Sequence, residues 1–184
     1  MKYFFGFIII IFINACSVKY DSEMQNQSEY ENKRVIEKLQ KTIQSLSLDV
    51  NESEAKKVAS IAVLYSKFLA HEYKLVKPPL YHNTLIQLGL KERGLCFHFA
   101  EDLIKELKKQ DLKTLDLRWV VHKKADYWEH SSIVVSAKNQ PIQNGIILDA
   151  WRDSGKLYWN NFLKDTRYIW IEDTLRSKYY GNVK

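Results

Sequence analysis

Between residues 30 and 72 apolar side chains recur in steps of three and four. Val35, Ile36, Leu39, Ile43 and Leu46 share one face, which predicts an amphipathic helix over 30–46. Val58, Ile61, Ala62, Leu64, Tyr65, Phe68 and Leu69 repeat the pattern in a second helix that ends before Pro78-Pro79. Asn51 followed by Glu54 gives that helix a capping start. A short helix over 83–88, closed by Gly89, and a turn through Gly94 lead into a helix over roughly 95–110, with Phe99, Leu103, Ile104 and Leu107 at helical spacing. Beyond residue 114 the period shortens. The segments 115–121, 130–137, 145–151 and 168–171 predict strands, with 140–144 as the turn between the second and third. Helices first and antiparallel strands afterwards make an α+β layout.

The N-terminus has a different pattern. Lys2 precedes an apolar run from Tyr3 to Ile13, too short for a comfortable membrane span and proportioned like an export signal. Its end, Ile13-Asn14-Ala15-Cys16, resembles the lipobox of bacterial lipoproteins. That resemblance implies removal of residues 1–15, a lipid on Cys16, and a periplasm-facing or surface-exposed place in a bacterial cell envelope. The alternative is an ordinary signal peptide or a short anchor helix with an incidental cysteine. Residues 16–29 are polar and read as a flexible tether. Residues 30–184 then make one domain, with a helical part over 30–77 and a core over 78–172.

Composition supports a packed globule: 46% of residues are hydrophobic and 13% aromatic. The net charge of +6 is spread along the chain, and its densest cluster, Lys105 to Lys113, alternates with acids as a solvated helix face does. With no RNA- or DNA-binding motif, no nucleic-acid partner is expected. No Walker or Rossmann glycine pattern and no zinc-type Cys/His spacing is present, so neither cofactor nor metal is expected.

If Cys16 carries lipid, Cys96 has no disulfide partner in a chain with 2 cysteines. Such a thiol is either buried and inert or reactive. Arg93-Gly94-Leu95-Cys96 puts it in the first turn of a helix, where unpaired N–H groups and the helix dipole favour a thiolate. His130 opens a predicted strand and Asp149 ends the next, so antiparallel pairing would bring them side by side. A thiol, a base and an aspartate that orients the base are the parts of nucleophilic catalysis. Cys96 also begins the apolar stripe of its helix, which suits an inert core thiol or a nucleophile pressed against a sheet.

Gly-x-Cys at a helix start, His opening one strand and Asp-x-Trp in the next resemble the transglutaminase-like branch of the papain-like cysteine enzymes, over roughly residues 78–172. The resemblance implies a nucleophile helix packed on a small antiparallel sheet. It also implies a Cys96–His130–Asp149 triad working on a peptide, protein or peptidoglycan-type amide as peptidase, amidase or transglutaminase. Ser131-Ser132 after the histidine and Ala150 after the aspartate depart from the usual family pattern. A non-catalytic envelope lipoprotein that holds a peptide or wall fragment in the same cleft is the competing reading.

Several residues are candidates for supporting roles. The Cys96 N–H is a natural oxyanion donor, and Asn83 is the first choice for a second, with a helix N-cap as its alternative role. Trp151 either walls the site or belongs to the core. Arg152 either pairs with an acid or receives a substrate carboxylate. Trp128 and Glu129 are placed to line a cleft. His71, His98 and His122 read as surface, structural or rim residues, and Tyr158, Trp159 and Trp170 as core aromatics.

Overall fold

A computed structural model of the chain describes residues 17–181, and their side chains from 27 to 180. Cys16 and the apolar leader lie outside the described residues. The order is helices α1 (Ser17–Gln44), α2 (Glu52–Glu72), α3 (Pro79–Gln87) and α4 (Cys96–Lys108), strands β1 (Leu115–His122), β2 (His130–Ala137), β3 (Ile146–Asp153), β4 (Lys156–Asn161) and β5 (Ile171–Glu172), and helix α5 (Thr174–Gly181). Short 3-10 turns occupy Ile142–Asn144 and Phe162–Lys164. The strands form one antiparallel sheet in the order β4-β3-β2-β1-β5. The chain is thus mixed α+β, with five helices and a small five-stranded sheet among the described residues. No helix of the described residues is long and apolar enough to cross a membrane.

Strand alternation explains the two apolar layers. Leu115, Leu117, Trp119 and Val121 of β1, Ile133 and Val135 of β2, and Ile146, Leu148 and Ala150 of β3 join the helices in the main core. Val120, Val134 and Ile147 point the other way, against Ile142, Phe162 and Trp170. α4 supplies Phe99, Leu103, Ile104 and Leu107 to the main core, at the predicted spacing.

Several expectations shift. α1 begins at Ser17, so residues 17–29 extend the helix rather than forming a flexible tether. Straight-chain Glu, Gln, Lys and Met residues there have high helix propensity. α2 buries Ala55, Val58, Ala59, Ala62, Val63, Ser66 and Leu69, whereas Leu64 and Phe68 are exposed. Small residues dominate that face, so neighbours approach the α2 backbone closely. The Asn51 side chain accepts from the Glu54 N–H at 3.2 Å, as a cap should. Glu54 itself reaches across to the Lys113 and Thr114 N–H groups and the Thr114 hydroxyl, pinning α2 to the start of β1. α3 starts at Pro79 instead of Asn83, because proline fits the first helical position, where no N–H is needed.

The 156–161 segment was expected to supply only core aromatics and is a strand, β4. The turn that creates it is Ser154-Gly155, with both φ values positive (55° and 86°), as a two-residue hairpin turn requires. The predicted strand at 168–171 shrinks to two residues at 171–172. α5 was not foreseen. It packs on β1 through Tyr180, whose ring stacks on Trp119 at 5.1 Å, and Ser177, whose hydroxyl accepts from the Trp119 N–H at 2.9 Å.

Gly155 also seats the hairpin on α2: a Cβ there would lie 2.3 Å from the Ala70 Cβ and 3.1 Å from the Ser66 carbonyl. Gly89 has a similar positive φ of 71° but open space around it. Gly89→Ala should therefore cost only the left-handed backbone penalty, about 1 kcal/mol, and Gly155→Ala at least about twice that. Urea denaturation of the two variants checks this; equal losses would show that the hairpin is not seated on α2.

Candidate active site

The start of α4 is fixed by three contacts. His82 is fully buried and bridges two segments: its Nδ1 accepts from the Val76 N–H at 3.1 Å, and its Nε2 lies 2.8 Å from the Arg93 carbonyl. Gly94 lies flat against that ring, where a Cβ would sit 2.3 Å from His82 Nε2, and its φ of +124° suits glycine. His98 turns back so that its Nδ1 accepts from the Gly94 and Leu95 N–H groups at 3.1 and 3.2 Å, capping the helix. Tyr73 and Arg93 both hydrogen-bond Asp102, at 2.5 and 2.9 Å, tying the end of α2 to α4. Burial and the Asp102 carboxylate push the Tyr73 phenol above its ordinary range.

Cys96 thus opens α4 half-buried, and its N–H has no carbonyl partner within the helix. Its sulfur is 3.8 Å from the Glu129 carbonyl, and the thiol and the His130 ring line the same cleft. His130 Nε2 lies 2.7 Å from Asp149 Oδ2. β2 and β3 pair with Ile133 opposite Leu148. Continuing that register sets Asp149 across from Ser132, one same-face step from His130, within diagonal reach of an imidazole. Cys96 and His130 thus line one cleft, with Asp149 buried behind the imidazole.

Asp149 is 1% exposed, yet every acceptor direction is engaged. Oδ1 accepts from the Trp151 and Arg152 N–H groups at 3.2 and 3.1 Å, and Oδ2 from Arg152 Nε at 3.0 Å in addition to His130. A register shift between Asp149 and Asp153 lets those backbone groups turn back onto the carboxylate. Burial alone would favour the neutral acid, but the charges of His130 and Arg152 hold Asp149 below the usual carboxylate range.

Arg152 is 7% exposed, so it is no receptor for a substrate carboxylate; the acid-pairing alternative is the one that fits its surroundings. Its far side forms a fork with Asp165, Nη1 to Oδ1 at 3.1 Å and Nη2 to Oδ2 at 2.5 Å. The Tyr158 and Tyr168 rings sit 3.7 and 4.7 Å from its guanidinium carbon. Trp170 Nε1 completes Asp165 with a 2.9 Å bond.

These groups open into a cleft of about 510 Å³. Cys96, His130 and Trp151 line it together with Leu80, Asn83, Thr84 and Gln87 of α3, residues 127–129 of the β1–β2 loop, and His122, Lys123, Arg167 and Tyr168. Trp151 packs 4.9 Å from the His130 ring, so it is both wall and core. Asn83 sits within α3 rather than capping it. Trp151 Nε1 donates to Asn83 Oδ1 at 3.3 Å; because indole can only donate, the oxygen must face it and the Asn83 NH₂ remains free to donate. His122 is held by the Ile169 backbone at 3.1 Å, and His71 pairs with Glu72 at the surface. No group of three or more His, Cys, Asp or Glu among the described residues could hold a metal ion.

Asp165 and Tyr168, whose ring lies 4.5 Å from His130, are site residues that sequence reasoning missed. Nothing in their local pattern marks them, since their roles exist only once the 165–170 segment folds over β2 and β3.

No protein-family model matches the chain, and neither does any curated protein or solved structure.

Burial pulls the His130 pKa down, but the Asp149 carboxylate and the Cys96 sulfur outweigh it and push it up to about 9. A histidine raised in the folded state stabilises the fold fully below its unfolded value of about 6.5, and that contribution is lost as pH rises through about 9. Wild type should therefore lose stability relative to His130→Gln between pH 6.5 and 9. Denaturant midpoints compared across that window test this, and parallel curves would refute it.

Proposed function

We propose that the protein is a thiol acyl-transfer enzyme whose Cys96 attacks an amide carbonyl, built on a papain-like core of the transglutaminase-like kind. The observation that carries this reading is the 2.7 Å His130–Asp149 pair, with the Cys96 thiol and the His130 ring together lining an open cleft. In it His130 takes the thiol proton and holds it as an imidazolium beside Asp149, ready for the leaving amine. The new sulfur–carbon bond makes a tetrahedral oxyanion, for which the Cys96 N–H and the Asn83 NH₂ are the proposed donors. Collapse breaks the carbon–nitrogen bond, His130 gives its proton to the nitrogen, and a thioester remains. Water or a second amine then attacks the thioester as His130 takes back a proton, and the thiolate leaves. Substrates of the peptide, protein or peptidoglycan-peptide class fit this chemistry.

Cys96→Ala should abolish turnover of such amides with the fold unchanged, because alanine suits the same helical position. Asp149→Asn should cost less, since it disturbs the tautomer and orientation of His130 without removing the nucleophile. Activity assays on peptides, wall fragments and amine acceptors decide it. Full activity in Cys96→Ala would leave the cleft a binding site only.

We also propose that residues 1–15 are removed and that Cys16 carries a lipid holding the domain at a bacterial envelope membrane, because Ile13-Asn14-Ala15-Cys16 resembles a lipobox. Cys16→Ser should leave the chain uncleaved or released from membranes. Intact-mass measurement of a mature chain starting at another residue would rule lipidation out.

A further inference from the structure

We propose that Lys123 and Arg167 form a carboxylate-binding subsite on the leaving-group side of the cleft. Resting on the acyl-transfer reading, this makes the amide handled at Cys96 one whose amine portion is an amino acid with a free carboxylate.

The walls of the cleft differ in charge. α3 contributes only Leu80, Asn83, Thr84 and Gln87 to it, all uncharged. The wall beyond His130 presents Lys123 and Arg167. The acid that lines the cleft, Glu129, is neutralised by Arg176 Nη1 at 2.7 Å and accepts from the Ala125 N–H at 2.7 Å. Among the described residues no carboxylate pairs with Lys123 or Arg167, although cations next to the site are paired: Lys124 with Asp173 at 3.0 Å, and Arg152 with two aspartates. Arg167 lies 5.4 Å from the Tyr168 ring, which supports one face of the guanidinium and leaves its N–H edge free for a bidentate carboxylate contact.

Position assigns the carboxylate to one half of the substrate. His122 stands directly opposite His130 in the β1–β2 ladder, and Lys123 follows it. Arg167 precedes Tyr168, whose ring packs on His130. Both cations are thus anchored beside the histidine, on segments other than α3. The proton His130 donates goes to the leaving nitrogen, so the amine portion must lie on the His130 side while the acyl portion runs along α3. A carboxylate held at Lys123 and Arg167 then belongs to the amine portion. After carbon–nitrogen cleavage it departs with the protonated amine, and the acyl group stays on sulfur. A peptide's C-terminal residue and a single amino acid joined to another acyl group offer the same carboxylate.

The test uses the reactivity of Cys96 in the full chain and needs no substrate. Alkylation by anionic iodoacetate is compared with neutral iodoacetamide at pH 6, with the modified residue located by mass. Because the His130 imidazolium attracts iodoacetate in every variant, the decisive quantity is the change in the iodoacetate-to-iodoacetamide rate ratio. Lys123→Gln/Arg167→Gln should lower that ratio roughly 5-fold, the size expected of two partly screened charge contacts. Lys33→Gln/Lys56→Gln, which removes the same charge from distant helices, should leave it in place. N-acetylalanine and N-acetylalanylalanine are then compared as protectants with their carboxamides; the free acids should protect better, and the better of the two tells a conjugate from a peptide terminus. Fast iodoacetamide labelling with an unchanged ratio, or equal protection by acids and amides, overturns the subsite and leaves the acyl-transfer reading standing. A Cys96 that resists iodoacetamide when folded but reacts when unfolded overturns both.

Discussion

A buried negative charge organises this structure. A carboxylate removed from water is costly unless charge and hydrogen bonds replace its hydration, and Asp149 is supplied with both. Arg152 compensates it from one side and His130 from the other, and Arg152 is in turn compensated by Asp165. The chain of alternating charges, His130–Asp149–Arg152–Asp165, joins β2, β3 and the 165–170 segment into one rigid unit. Aromatic rings close over it: Trp151, Tyr168 and Trp170 lie 4.9, 4.5 and 5.4 Å from the His130 ring. Little water reaches the network, which strengthens each interaction in it. The imidazole lines the cleft beside the half-buried thiol.

The cysteine side is built differently. Cys96 is held by neutral contacts around a helix start: the His82 bridge, the glycine that lets it close, and the His98 cap. These set the backbone of α4 and leave the thiol free to meet whatever the sheet presents. The two halves meet where the Glu129 carbonyl, immediately before His130, touches the Cys96 sulfur.

Much of this was legible in the sequence wherever a local pattern determines the outcome. The period of α4, the Asn51 cap and the start of β2 at His130 are settled within a few residues of themselves. The pairing of His130 with Asp149 also followed, because antiparallel neighbours leave little choice of register. What the sequence hid depends on distant partners. Arg152 looks like a free cation until Asp165 is brought beside it. Leu64 and Phe68 look like core until the small residues of α2 take the contact face. Two-residue β5 draws its pairing from β1 rather than from its own composition, and β4 is announced only by a turn that is easily read as the end of β3.

The β1–β2 loop forms part of the cleft wall, and its fixings lie far along the chain. Glu129 is tied to Arg176 at 2.7 Å and Lys124 to Asp173 at 3.0 Å, at the start of α5. These are long-range closures, and each carries the entropic cost of bringing distant parts of the chain together. The wall beside the α4 thiol is therefore held from the far end of the chain, outside α4, β2 and β3. A change at Asp173 or Arg176 would loosen the cleft wall from a distance and leave the elements that carry Cys96, His130 and Asp149 as they are.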